Sequence, residues 1–252
     1  MFLSDYDGTL TPIVERPELA NLSPKARKLL QALAHQRRFT VAIISGRALR
    51  DLERRVGIRG IIYAGNHGLA IEGPGMSFVN PVAEEMKLFF RLLHQLLSKA
   101  LGTIRGVRVE DKGLTLSVHY RMVAEAKADE VENAFEWVIA PTRSLGKIKT
   151  TRGKKVYEVR PAVAWDKGKA IALLLKKYKK GKEKALPIFL GDDLTDEDGF
   201  KVINKYDGIS IFVGEGAEDT AARYFLRSPA EVEEFLGMLL ERRRRVREEV
   251  SH

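Results

Sequence analysis

The 252-residue chain contains no cysteine, which excludes disulfides, thiolate metal sites and cysteine nucleophiles. It has no apolar run of membrane-spanning length and nothing that resembles a signal peptide, so it reads as soluble and cytoplasmic. No internal repeat and no low-complexity tract is visible. What the chain has in quantity is charge, 31% of residues, together with an apolar fraction of 44% that suffices for a core. High Lys, Arg and Glu without Cys is also a thermophile-like composition. The net charge of +9 raises the question of nucleic acid. The densest basic run, Arg242-Arg243-Arg244-Arg245, is flanked by Glu248-Glu249 and lacks interleaved aromatics. It reads as the solvated end of a last helix, not as a nucleic-acid patch.

Short apolar runs end abruptly in polar or glycine-rich turns at five places. They are Met1–Leu3 into Ser4-Asp5, Thr40–Ile44 into Ser45-Gly46-Arg47, and Ile61-Ile62-Tyr63 into Ala64-Gly65-Asn66-His67-Gly68. The last two are Pro187–Leu190 into Gly191-Asp192-Asp193, and Gly208–Val213 into Gly214-Glu215-Gly216. Continuous apolar runs suit strands covered on both faces, as in a parallel sheet. Helical spacing separates them. Ala26, Leu29, Leu30 and Leu33 follow Ser23-Pro24, a cap and first-turn pair; Ile171, Leu174 and Leu175 follow Asp166; Val232, Phe235, Leu236 and Leu239 recur near the end. The expected fold class is α/β: a Rossmann-like three-layer core with a parallel sheet. In such sheets ligands sit beyond the carboxyl ends of the strands, where every one of these turns falls.

The middle third differs. Val82–Ala100 has one long helical pattern, Val107–Tyr120 contains an alternating strand, and Ala124–Ile139 is a second amphipathic helix. Lys147–Thr151 and Lys154–Arg160 read as a hairpin turning at Thr151-Arg152-Gly153. This order of helix, strand, helix, strand, strand predicts an α+β domain over residues 81–160, inserted into a core of residues 1–80 and 161–252. Prolines at Asn80-Pro81 and Arg160-Pro161 suit hinge segments.

The opening Asp5-Tyr6-Asp7-Gly8-Thr9-Leu10 sets two carboxylates two apart at a strand exit. Such a pair can bind a hard cation, attack phosphorus, or simply form an acidic turn. Asp192-Asp193-Leu194-Thr195-Asp196-Glu197-Asp198 packs five acids into seven positions. A dication would relieve their repulsion, and part of the run also suits a helix N-terminus. Ser45-Gly46-Arg47 supplies a hydroxyl, backbone N–H groups and a guanidinium suited to phosphate. Lys167 opens a helix after Trp165-Asp166, and locally it could equally be a surface lysine.

In order, Asp-x-Asp-Gly-Thr, Ser-Gly-Arg, Lys and Gly-Asp-Asp-x-x-Asp resemble the haloacid-dehalogenase-like phosphatases. Within that superfamily the chain is similar to the trehalose-6-phosphate phosphatases. The similarity rests on Asp5 to Ile13, Gly65-Asn66-His67-Gly68, Glu110-x-Lys112-Gly113, His119-Tyr120-Arg121, Lys155 to Pro161, Trp165 to Ala170 and Gly191 to Asp198. Only four residues precede Asp5, which makes the first strand short and fits either a brief strand or a phosphatase domain of a longer synthase–phosphatase.

The resemblance implies that Asp5 is the nucleophile, Asp7 the acid–base, and Ser45 and Lys167 the stabilisers of the phosphoryl oxygens. It implies Mg²⁺ held by the Asp5 carboxylate, the Asp7 backbone carbonyl and Asp192, with Asp193 or Asp196 acting through water. Sugar binding is expected from Glu110, Lys112 and Glu158 in the inserted cap, whose alternative is an exposed salt-bridge set. Arg47, Asn66 and His67 are further substrate candidates at the core rim, and His119 fits a core or hinge-side position as well. The expected partner is a small sugar phosphate, with no nucleic acid and no membrane, and a fused or associated trehalose-phosphate synthase is the further partner that the resemblance leaves open. Other glycosyl phosphates (sucrose phosphate, mannosyl- or glucosyl-phosphoglycerate) remain as substrates, and a non-catalytic sugar-phosphate-binding domain is the reading from another class.

Overall fold

The computed structural model describes residues 1–153, 155–178, 186–215 and 219–250, with side chains as far as residue 241. Gly216, Lys154 and the side chains of the Arg242–Arg245 run therefore lie outside the described residues. The chain divides into two compact units, Met1–Phe78 with Trp165–His252, and Val79–Ala164. The sequence placed these limits at 80/81 and 160/161, a few residues away at each crossing.

Unit 1 is built on an eight-stranded sheet. Its strands are β1 (Phe2–Ser4), β2 (Val41–Ile44), β3 (Ile62–Gly65), β4 (Ala70–Gly73) and β5 (Met76–Val79), and, after the insertion that carries β6 to β9, β10 (Ile188–Gly191), β11 (Ile209–Val213) and β12 (Tyr224–Leu226). Their order is β12-β11-β10-β1-β2-β3-β4-β5. Pairing is parallel from β12 to β3, and β4 runs antiparallel to β3. Both faces are covered, which is why the central strands are mainly apolar, with the polar Ser4 buried at the end of β1. Phe2, Val41, Ile43, Ile188 and Leu190 point into one core cluster, and Leu3, Ala42, Ile44 and Phe189 into another.

Helices α1 (Pro24–Ala34), α2 (Leu49–Val56) and α8 (Pro229–Val250) cover the first face, through Leu30 and Leu33, Leu52 and Val56, and Val232 and Leu236. Helices α6 (Lys167–Lys177) and α7 (Glu197–Lys205) cover the second, through Ile171 and Leu174, and Phe200 and Ile203. Ser23 caps α1 by accepting from the Ala26 N–H at 2.9 Å, with Pro24 in the first turn, where its missing N–H costs nothing.

Unit 2 holds β6 (Arg108–Asp111), β7 (Leu116–His119), β8 (Ile148–Gly153) and β9 (Val156–Pro161) in an antiparallel sheet of order β6-β7-β9-β8. Helices α3 (Pro81–Glu85), α4 (Lys87–Leu101) and α5 (Ala128–Ser144) accompany it. A separate core joins Phe90, Leu93 and Leu97 of α4 with Leu116, Val118, Phe135, Tyr157 and Val159.

Three expectations need correction here. The single strand of Val107–Tyr120 is a hairpin. Asp111 Oδ1 accepts from the Gly113 N–H at 2.7 Å, the Lys112 N–H donates to the Thr115 carbonyl at 3.0 Å and Gly113 has φ +80°, so the chain reverses at Gly113-Leu114. The helix over Val82–Ala100 breaks at Met86, whose ψ of 0° departs from helical values with no Gly or Pro to mark it. Thr151-Arg152-Gly153 belongs to β8 and pairs with Glu158, Tyr157 and Val156, so the reversal follows Gly153. In addition, α5 runs on to Ser144 with Pro141 inside it.

Candidate active site

The sheet order explains how distant residues meet. β10, β1, β2 and β3 are consecutive neighbours, in register at Leu190, Ser4, Ile43 and Ile44 with Ala64. The residues that follow these strands, Asp192, Asp5, Ser45 and Asn66-His67, therefore emerge side by side at one sheet edge. Backbone bonds continue the order past the strands: Asp5 N–H to Leu190 O at 2.8 Å, Ser45 N–H to Ala64 O at 2.9 Å, and His67 N–H to Ser45 O at 2.9 Å.

Asp5 is 5% exposed. Lys167, at the first turn of α6, is 2% exposed and donates to Asp5 Oδ1 and Asp196 Oδ1, both at 2.8 Å. A surface lysine would be free of such ties, so the position after Asp166 serves the site. Asp166 caps the helix by accepting from the Lys169 N–H at 2.8 Å, which fixes where Lys167 begins. Asp196 is buried, and its other oxygen accepts from the N–H groups of Asp192 at 3.1 Å and Asp193 at 3.2 Å. It thereby ties the acidic loop to Lys167.

Carboxylate oxygens of Asp5, Asp192 and Asp196 lie within 4.8 Å of one another. Burial, with Asp196 and Asp193 adding to it, pushes the Asp192 carboxyl up to about 7. Burial also pushes Asp5 up, against the opposing charge of Lys167. Lys167 is raised in spite of burial, because Asp196, Asp5 and Asp193 surround it. An all-oxygen donor set in which like charges crowd together suits a hard dication. Asp193 stands outside this cluster: its Oδ1 accepts from Thr195 N–H at 2.9 Å and Thr195 Oγ1 at 2.7 Å, capping the next turn, and its side chain is half-exposed.

The turn after β1 is shaped to admit Asp192. Gly8 has φ +87°, and a Cβ there would lie 2.0 Å from Asp192 Oδ2. Thr9 Oγ1 donates to Asp192 Oδ1 at 3.1 Å. Asp7 does not join the acidic cluster through its side chain, which is 40% exposed and faces Arg47. Arg47, expected as a substrate group, is buried. Nε donates to Asp7 Oδ2 at 2.7 Å, Nη2 to Asp7 Oδ1 at 2.6 Å and to Pro17 O at 2.8 Å, and Nη1 to Asp51 Oδ2 at 2.9 Å. Ser45 Oγ accepts from the Arg47 N–H at 3.2 Å, so its own O–H remains to donate. Asn66 and His67 are buried with φ of 50° and 55°, a left-handed turn that neither residue type takes without cost.

In unit 2, Glu110, Ser117 and Glu158 are aligned across β6, β7 and β9 on one sheet face. Lys112 Nζ lies 3.4 Å from Glu158 Oε1, and His119 Nε2 lies 2.8 Å from Glu110 Oε2. Burial would raise Glu110, but the His119 bond, Lys112 and Arg108 hold it below its ordinary value. These are part-buried pairs, the Lys112 side chain being only 8% exposed, and not the exposed set that was the alternative. Two site residues were missed in the sequence: Thr9, inside the opening motif, and Asp51, whose spacing of four from Arg47 on a helix start was the available signal.

A mainly parallel sheet with a buried carboxylate, a buried lysine and an acidic loop beyond its carboxyl ends is the arrangement of the haloacid-dehalogenase-like fold. The chain belongs to the trehalose-phosphatase family, whose sequence profile matches residues 3–230. It is 39% identical over 254 residues to trehalose 6-phosphate phosphatase RA3 of Zea mays, covering 95% of this chain and 69% of that protein. It is 39% identical to probable trehalose-phosphate phosphatase D of Arabidopsis thaliana, with 96% and 67% covered. The chain thus spans about two thirds of the length of such relatives. Among solved structures it is similar to the C-terminal domain of the C. albicans trehalose-6-phosphate phosphatase, with TM-score 0.80, 28% identity, and 95% and 91% covered. A trehalose-6-phosphate phosphatase related protein shares the fold at TM-score 0.81 and 24% identity, with 96% and 97% covered. Family members are phosphoric monoester hydrolases. Among the described residues no helix is long and apolar enough to cross a membrane.

Proposed function

We propose that the chain hydrolyses trehalose 6-phosphate to trehalose and phosphate, through an aspartyl-phosphate on Asp5 and with Mg²⁺ as cofactor. The observation that carries this is the buried Asp5, bonded to Lys167 at 2.8 Å and clustered with Asp192 and Asp196. Asp5 attacks the phosphorus in line, and the bond from phosphorus to the sugar oxygen breaks. Asp7 gives its proton to the departing sugar oxygen, then takes one from the water that attacks the phosphorus and restores Asp5. Lys167 orients the Asp5 carboxylate, and with the Ser45 hydroxyl it stabilises charge on the phosphoryl oxygens. Asp5, Asp192 and the Asp7 backbone carbonyl would hold Mg²⁺, with Asp196 or Asp193 acting through water. Once bound, that ion supplies positive charge that screens carboxylate from phosphate.

Unit 2 is read as the cap that selects the sugar, with Glu110, Lys112 and Glu158 as its hydroxyl-binding residues; Asn66 and His67 are core contributors. The names of the relatives support trehalose 6-phosphate over other glycosyl phosphates. Association with a synthase and a cytoplasmic location belong to the same reading. The test is phosphate release from trehalose 6-phosphate, sucrose 6-phosphate, glucosyl-phosphoglycerate and mannosyl-phosphoglycerate, with Mg²⁺ and with a chelator. Trehalose 6-phosphate should react fastest, and the chelator should stop the reaction. Asp5→Asn should lose turnover by at least about 10³-fold while still binding substrate. Unchanged turnover in that variant would sink the mechanism.

A further inference from the structure

Arg47 carries the residue type and position of a phosphate-binding or sugar-binding group, yet the structure commits it elsewhere. Four of its five N–H donors are engaged within unit 1: two on Asp7, one on Asp51 and one on the Pro17 carbonyl. Its guanidinium also lies over the Tyr6 ring, 5.3 Å from the centroid, and the residue is 8% exposed. The two bonds to Asp7 form a fork, which fixes the plane of the carboxylate as well as its distance. The other side of the fork is anchored in turn. Asp51 Oδ2 accepts from Arg47 Nη1 at 2.9 Å and from Arg55 Nε at 2.7 Å, and Oδ1 accepts from Arg54 Nη2 at 2.6 Å. Arg55 is itself tied to the Glu18 carbonyl at 3.0 Å. An ordered chain therefore runs from the start of α2 to the exposed carboxylate of Asp7.

We propose that Arg47 is the positioning residue that aims Asp7 for proton transfer, with Asp51 fixing Arg47, and that it is not a substrate group. The proposal rests on the reading of Asp7 as the acid–base. Its physical content is that proton transfer tolerates little error in distance or angle, whereas a carboxylate on a turn can rotate freely unless both oxygens are held. Asp7 follows β1 on such a turn, and its side chain is 40% exposed. Nothing in its own burial would hold it still; the fork does. Lysine could supply the charge but not the fork.

The reaction itself offers a readout that separates aiming a proton donor from binding phosphate or sugar. A good leaving group departs without a proton and a poor one needs it. The experiment measures kcat/KM across substituted phenyl phosphates, from nitrophenyl esters to phenyl phosphate, for the wild type, Arg47→Ala, Arg47→Lys, Asp51→Asn and Asp7→Asn. No sugar is present in these esters, and the nitrophenyl rate reports on how much protein is folded. In Arg47→Ala the phenyl phosphate value should fall about 30-fold, against less than about threefold for the nitrophenyl ester, a steeper dependence on the leaving group. Arg47→Lys and Asp51→Asn should show the same steepening, to a smaller degree, and Asp7→Asn the same to a larger one.

Equal losses on all esters in Arg47→Ala, Arg47→Lys and Asp51→Asn would assign Arg47 to phosphate binding or to the fold and overturn the proposal. A slope parallel to the wild type, with loss confined to sugar phosphates, would make Arg47 a sugar group and also overturn it. If Asp7→Asn steepens the dependence and the Arg47 variants do not, the proposal fails and the reading of Asp7 stands. If Asp7→Asn itself does not steepen it, the acid–base reading fails, and this proposal with it.

Discussion

Burial and two neighbouring carboxylates move Asp192 from 3.8 in the unfolded chain to about 7 in the fold. The folded protein then holds this proton more tightly than the unfolded chain does. Stability from this group is full below about 4 and is lost as the pH rises toward about 7. Asp5 and Asp196 are shifted in the same direction, so the charged site is strained without a counter-charge. A dication binds the charged form and relieves the strain. Mg²⁺ should therefore raise the Tm more at about pH 8 than at about pH 5. Melting curves with Mg²⁺ and with chelator at both pH values check this, and equal increments would rule out the acidic cluster as the binding site.

At the scale of elements, the turn after β1 couples two strands that are remote in sequence. Gly8 leaves room for Asp192, and Thr9 binds it. In Gly8→Ala the added Cβ would meet Asp192 Oδ2 at 2.0 Å, on a backbone that already disfavours a side chain. The variant should fold with a loss of about 1 kcal/mol, yet lose activity by about 10²-fold, because a small misplacement of a reacting group is costly. Steady-state assays beside a melting curve measure both; full activity would show that the turn does not set the place of Asp192.

The β–turn exits were legible in the sequence because strands covered on both faces are apolar without interruption and then stop. Residues such as Phe2 and Leu3 enter opposite cores and leave no polar face to blur the signal. The hairpin of β6 and β7 was less legible, since its turn at Gly113-Leu114 puts an apolar residue at a turning position, where leucine gives no turn signal. The break at Met86 had no local signal at all. The site divides in the same way. Residue type and position after a strand pointed to Asp5, Ser45, Lys167 and Asp192, but the partner of Arg47 depends on where a side chain turns, which pattern does not encode.

Across the whole molecule, the two units have separate cores, and each carries one tryptophan, Trp165 in unit 1 and Trp137 in unit 2. Trp165 stacks on Phe78 with centroids 5.2 Å apart and donates to the Gly68 carbonyl at 2.9 Å. Phe135 stacks on Tyr157 at 4.4 Å within the core of unit 2. Phe135→Ala should remove about 3–5 kcal/mol from that core. Urea unfolding followed in Trp137→Phe and Trp165→Phe backgrounds should show the Trp137 signal moving to lower urea while the Trp165 signal moves less. Equal displacement would mean that the two cores unfold as one.

The order of the large sheet has a consequence for the nascent chain. β1 lies between β2 and β10, and β10 begins at Ile188, some 184 residues after β1 ends at Ser4. During synthesis, at roughly 5–20 residues per second, β1 can pair with β2 early, but its other edge must wait until β10 has been made. Until then the main-chain groups of Phe2 to Ser4 on that side are open to any passing strand, and Asp5 has neither Lys167 nor the acidic loop beside it. Asp5 is thus made long before the residues that complete its surroundings, and the site cannot act until Lys167 and the loop after β10 have been made and folded beside it.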